Sequence, residues 1–138
     1  MKRIVIYTDG GSRGNPGPSG AGAVVYEGEK EIGTVSKFLG IQTNNFAEYE
    51  ALILALKCAH RAVKNLDEHE VLIRMDSELI VKQMKGEYRV KAPVLKEKYM
   101  EIKAYIARHA LRVHFEHVRR EYNTRADELA NHAMDKGD

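Results

Sequence analysis

The chain has 138 residues, a length that predicts one domain over residues 1–138 and leaves no room for two cores. Hydrophobic residues make up 43% and charged residues 30%, which excludes a disordered or fibrous chain, and no run approaches the roughly 18 apolar residues of a membrane span. The single cysteine, Cys58, excludes an intramolecular disulfide and a cysteine-rich zinc site. The opening MKRIVIYTDGG turns polar too early for an export signal, so a reducing, cytoplasmic compartment is expected. Net charge is +2, unevenly spread: residues 1–70 carry 8 Lys/Arg against 9 Asp/Glu, and residues 71–138 carry 14 against 11. The stretch from Lys82 to Lys103, with 7 basic against 3 acidic residues, reads either as a solvated helix face or as a strip for phosphate backbones.

Residues 3–8, RIVIYT, form a β-branched apolar run that predicts a buried strand ending in a turn at Asp9-Gly10-Gly11. The following GGSRGNPGPSGAG is too rich in Gly and Pro for a helix. Ala21–Tyr26 and Glu31–Phe38 flank Glu27-Gly28-Glu29-Lys30 and read as an antiparallel hairpin. From Asn45, apolar residues at Phe46, Tyr49, Leu52, Ile53, Leu56, Ala59 and Val63 recur at helical spacing. Val71–Met75 reads as a strand, Ser77–Met84 as a helix, and Gly86 and Pro93 bracket a loop. Val94–Arg108 is predicted helical, Leu111–Val118 alternates as a strand, and Thr124–Met134 closes as a helix. Five strands in the order β-β-β-α-β-α-α-β-α predict an α/β fold with a mixed sheet covered by helices. No apolar stripe is left over once the core faces are assigned, so a monomer is expected.

Strands one and four end alike, with Asp9 after IVIYT and Asp76 after VLIRM. Were they parallel neighbours, both carboxylates would stand at one rim of the sheet, where α/β sites form. Adjacent carboxylates repel unless a cation lies between them, and Mg²⁺ suits oxygen ligands. Glu48 and Asp127, each in the first turn of a helix, are placed to join them. Each acid also has a plain structural role open to it: Asn45-Phe46-Ala47-Glu48 and Thr124-Arg125-Ala126-Asp127 resemble capping boxes, and Asp76 is a candidate helix cap. The glycine-rich loop lacks the Gly-Lys-Ser/Thr of a P-loop and leads into a strand, which argues against nucleoside triphosphate binding.

TDGGSRGNPG with Asp9, NNFAEYEAL with Glu48, MDSELIVKQ with Asp76 and NTRADELAN with Asp127 resemble the four acidic motifs of type 1 ribonuclease H, in the family's order, across about residues 3–136. The resemblance implies the ribonuclease H-like fold, a three-strand antiparallel meander plus two parallel strands flanked by helices. It also implies endonucleolytic cleavage of the RNA strand of RNA–DNA hybrids with two Mg²⁺ or Mn²⁺ ions. In such a site two ions about 3.5–4 Å apart clamp the attacking and leaving oxygens. The expected assignment puts Asp9 between both ions, Asp127 on the one that activates water, and Glu48 and Asp76 on the one beside the departing 3′ oxygen, leaving 5′-phosphate and 3′-hydroxyl ends. Matching positions for substrate contacts are Gly10, Arg13, Asn15, Asn44 and Asn45; an amide can both donate to and accept from the 2′-hydroxyl that marks RNA.

Many family members carry a histidine in the loop before the last helix; here the loop reads Val118-Arg119-Arg120-Glu121-Tyr122-Asn123, similar to the archaeal-like branch. Arg120 or Glu121 is the expected substitute, with Arg120 favoured. His117 falls in the preceding strand, and His114 and His117, three apart, face opposite ways and do not form a metal pair. Glu78 stands where bacterial members often have Gln and loses a donor. The bacterial basic protrusion is truncated between Gly86 and Pro93, with Lys82, Lys85, Arg89 and Lys91 as partial replacements and strong salt sensitivity as the consequence. The rival readings are a non-catalytic nucleic-acid-binding module of the same fold and a nuclease of that fold acting on double-stranded RNA.

Overall fold

The computed structural model describes residues 2–137. Five strands form one sheet: β1 (Arg3–Ser12), β2 (Gly17–Glu27), β3 (Lys30–Gln42), β4 (Glu70–Met75) and β5 (Arg112–His117). Their spatial order is β3-β2-β1-β4-β5, antiparallel across β3-β2-β1 and parallel across β1-β4-β5. Four helices cover it: α1 (Asn44–Ala62), α2 (Glu78–Met84), α3 (Pro93–Arg108) and α4 (Thr124–Lys136). Among the described residues no helix is long and apolar enough to cross a membrane.

Alternation along β1 sorts the two faces. Ile4 and Ile6 are fully buried and join Val71, Ile73 and Met75 of β4 under the apolar side of α1, where Tyr49, Leu52, Leu56 and Ala59 are also fully buried. The Tyr49 hydroxyl donates to the side-chain carbonyl of Gln83 at 2.5 Å, tying α1 to α2. On the opposite face α4 crosses β2 so closely that a Cβ on Gly22 would stand 2.3 Å from the Ala126 carbonyl oxygen. The glycines of the N-terminal third therefore serve helix-on-sheet contact as well as turns.

Both ends of the Gly-rich segment depart from the turn expected there. β1 does not stop at Asp9 but continues through Gly10 and Gly11 to Ser12, paired with Ala21, Gly20 and Ser19, and β2 starts at Gly17 instead of Ala21. Sheet pairing and the absence of Cβ atoms let two helices close on this segment, which overrides the turn propensity of its glycines. β3 likewise runs on to Gln42, past a register shift opposite Ser19 and Gly20. The helix starts are also specific. Thr43 caps α1 by accepting from the Phe46 N–H at 3.2 Å, and Ser77, not Asp76, caps α2 by accepting from the Ile80 N–H at 3.3 Å. Neither Glu48 nor Asp127 closes a capping box, because the cap residues are Thr43, two places before Asn45, and Asn123, one place before Thr124.

Candidate active site

Parallel pairing of Thr8 with Met75 brings the next residue of each strand, Asp9 and Asp76, to the same edge of the sheet. Glu48 reaches this edge from α1, where its carboxylate accepts from the Gly10 N–H at 2.9 Å. One carboxylate oxygen from each of Asp9, Glu48 and Asp76 falls within 4.8 Å of the others. Asp127 arrives from the other face. Asp9 is in register with Gly22, where α4 crosses the sheet, so the first turn of α4 sets the Asp127 carboxyl within hydrogen-bonding reach of Asp9.

The four acids and their neighbours line one open cleft of about 450 Å³. Its walls include Gly10, Arg13, Asn44, Asn45, Ser77 and Arg120, so nine of the ten residues expected at the site share a single cavity. Asn15 is the exception: it lies outside the cleft lining, exposed, where its side-chain carbonyl accepts from the Asn44 N–H at 3.0 Å. The Asn44 side-chain carbonyl in turn accepts from the Ser12 N–H at 2.8 Å, which locks the β1–β2 loop to the start of α1 and leaves the Asn44 amide donors free to face the cleft. The Arg13 guanidinium pairs with Asp135 at 2.6 Å and reaches Asn131, so α4 holds this cation at the cleft's far side.

The electrostatics are those of a site short of positive charge. Burial, then the carboxylates of Glu48, Asp76 and Asp127, push the Asp9 carboxyl up to about 9. Burial also raises Glu48 to about 8, opposed by the Gly10 N–H and the Arg120 charge. The Arg120 guanidinium stands 4.0 Å from Asp76 while its side chain is 88% exposed, so it spans the cleft mouth. Glu121 is turned away and pairs with Arg119 at 3.1 Å. Oxygen donors gathered this tightly, with Asp9 and Glu48 held toward the neutral form chiefly by burial, fit a hard divalent cation. Cleft residues that the sequence reading did not single out for the site include Ser77, Asn131 and Met134; the last two sit one and two helical turns beyond Asp127 on α4, the i+4 and i+7 positions of its cleft face.

The RNase H family model matches residues 1–135. The chain belongs to the RNase H family. The bifunctional protein Rv2228c of Mycobacterium tuberculosis is 45% identical over 135 residues, covering 96% of this chain and 36% of that protein. Ribonuclease HI of Halobacterium salinarum is 40% identical over 139 residues, covering 96% of this chain and 65% of its own length. The chain thus spans about a third of the mycobacterial relative and just under two thirds of the archaeal one. Among solved structures, LC11-RNase H1 in complex with RNA/DNA hybrid superposes with a TM-score of 0.92 at 50% identity, over 96% of this chain and 97% of that one. The mixed sheet and four helices derived above are the RNase H fold.

Proposed function

We propose that this chain is an endoribonuclease that hydrolyses the RNA strand of RNA–DNA hybrids with two divalent ions, Mg²⁺ or Mn²⁺. The observation that carries the reading is the convergence of Asp9, Glu48 and Asp76 within 4.8 Å at the open edge of the sheet, with Asp127 beside Asp9. The hybrid bound to LC11-RNase H1 supports the substrate.

On this reading Asp9, Glu48, Asp76 and Asp127 hold the ions, which when bound supply an activated water and stabilise charge on the scissile phosphate. Hydrolysis adds water across the phosphorus–O3′ bond; the water oxygen stays on phosphorus as a 5′-phosphate and a proton goes to the 3′ oxygen. Arg120 cannot trade protons near neutral pH, so its part is electrostatic: a cation at the cleft mouth beside Asp76. Asn44, Asn45 and the Gly10 backbone face the minor groove, where the 2′-hydroxyl identifies the RNA strand. Arg89, Lys91 and Lys96 line a second cleft of about 800 Å³ with Tyr88, Tyr99 and Met100, a basic surface with the exposed Tyr88 ring beside it, suited to the hybrid's backbone. Residues 1–138 act on this reading as one nuclease domain.

The test is digestion of a hybrid labelled on either strand, with Mg²⁺, Mn²⁺ or chelator, against double-stranded RNA and double-stranded DNA in parallel. Cutting of the RNA strand alone, only with metal, and with 3′-hydroxyl products open to polymerase extension, is the expected result. Cutting of double-stranded RNA at the same rate overturns the substrate, and hybrid binding without cutting with either metal overturns the enzyme.

A further inference from the structure

Asn123 is 1% exposed and forms no part of the cleft wall, yet it bonds to the segments that carry three of the site residues. Its side-chain amide donates to the Thr8 carbonyl at 2.9 Å, the peptide immediately before Asp9. Its backbone N–H donates to the Arg120 carbonyl at 2.9 Å and closes the 3₁₀ turn Arg120–Tyr122. Its own carbonyl accepts from the Asp127 N–H at 3.1 Å and opens α4. One buried residue thus fixes the strand bearing Asp9 against both the turn bearing Arg120 and the helix bearing Asp127.

The side chain does this at a visible cost. As the residue preceding α4, an asparagine would ordinarily accept from an N–H in the helix's first turn, and Asn123 makes no such bond. Its side-chain carbonyl oxygen is buried without a partner. The amide is instead spent on Thr8, the last residue of β1 in register with β4 and so the point where the strands bearing Asp9 and Asp76 part. Helix capping alone would turn the oxygen toward α4, and packing alone would not need an amide at this position.

We infer that Asn123 is a positioning residue: its bond to the Thr8 carbonyl sets the separation of Asp9 from Asp127 and Arg120, and with it metal affinity and turnover, without contact to the substrate. The inference rests on the reading of the four acids as a metal centre. Residues one shell away from metal ligands change affinity or rate by about 10–100-fold when removed.

Two variants test it, Asn123→Ala and the near-isosteric Asn123→Leu, which keeps the shape, stays uncharged and loses the donor. Each is measured where circular dichroism shows it folded, by Mn²⁺ titration calorimetry, by single-turnover cleavage of a hybrid, and by hybrid affinity in chelator. Both variants are expected to bind Mn²⁺ and to cleave about tenfold or more slowly or weakly than wild type, with hybrid affinity unchanged. Wild-type Mn²⁺ affinity and rate in a folded variant, with a lowered melting temperature alone, overturn the inference; if Asn123→Ala does not fold, Asn123→Leu decides. A wild-type chain that binds Mn²⁺ but cuts no hybrid overturns the nuclease reading, and the Mn²⁺ affinities still decide Asn123. A wild-type chain that does not bind Mn²⁺ overturns both.

Discussion

The N–H of Gly10 donates to the Glu48 carboxylate at 2.9 Å, and a Cβ placed on Gly10 would stand 2.3 Å from the Ala47 carbonyl carbon. The same close approach that packs β1 on α1 therefore aims Glu48 at Asp9. Gly10→Ala forces backbone against backbone, which no side-chain rotation relieves. We expect a loss of about 3 kcal/mol of stability, by chemical denaturation, and a fall in turnover larger than the unfolded fraction explains.

The acid cluster makes the metal-free protein sensitive to alkali. Asp9 and Glu48 titrate in the folded chain at about 9 and about 8, above their ordinary range, so the native state holds protons that the unfolded chain has released. Their contribution is complete below pH about 4 and is lost as pH rises through 8 to 9. In chelator, Asp9→Asn is expected to melt about 4 °C or more above wild type at pH 8, with the gap closing at pH 5. Mg²⁺ raises the wild-type melting temperature more at pH 8 than at pH 5; an equal rise at both would contradict the pairing of these carboxyls.

A second titration sits at the far end of α1. The His60 ring accepts or donates at 2.6 Å to the Tyr105 hydroxyl and lies 4.6 Å, centre to centre, from the His109 ring. Burial and then His109 lower the His60 pKa, against a smaller pull from Asp67. A histidine lowered in the folded state stabilises above its ordinary value of about 6.5 and loses that contribution as pH falls below it. His109→Gln removes the facing charge and is expected to flatten the acid limb of a pH–melting curve below about 6.5 without changing turnover.

Arg120, in the loop before α4, stands at the mouth of the acid cleft. Its charge lies 4.0 Å from Asp76 and draws Glu48 toward ionisation. Arg120→Ala is expected to lower the single-turnover rate about 10–100-fold, Arg120→Lys to restore part of it, and Glu121→Ala to change little. Because guanidinium does not titrate near neutrality, the pH–rate profile should show no histidine limb between pH 6 and 7 that disappears in Arg120→Ala.

The sheet edge was legible in the sequence because two similar apolar runs each deliver an aspartate, and the helix between them permits parallel pairing. Glu48 and Asp127 needed the family resemblance, since their positions alone fit helix capping equally well. The length of β1 was not legible. Gly10 and Gly11 read as turn residues and Gly20 as part of a Gly- and Pro-rich loop, and only the helices packed on this segment, with the Ala47 carbonyl carbon 2.3 Å and the Ala130 carbonyl oxygen 2.6 Å from would-be Cβ positions on Gly10 and Gly20, show why they belong to strands. Asn123 was hidden for a different reason. Its partner is a backbone carbonyl 115 residues away, and no side-chain pattern marks a carbonyl.

The most direct test of the acid edge compares wild type with Asp9→Asn, prepared identically, in single-turnover cleavage of a hybrid at saturating Mg²⁺ and at pH 8. The substitution keeps size and removes charge, so the fold should persist, with a higher melting temperature in chelator. Cleavage of the RNA strand by wild type, and a loss of about a thousandfold or more in Asp9→Asn, is what a carboxylate-held metal centre at Asp9 predicts. A folded Asp9→Asn protein that still cuts the RNA strand at the wild-type rate would contradict it.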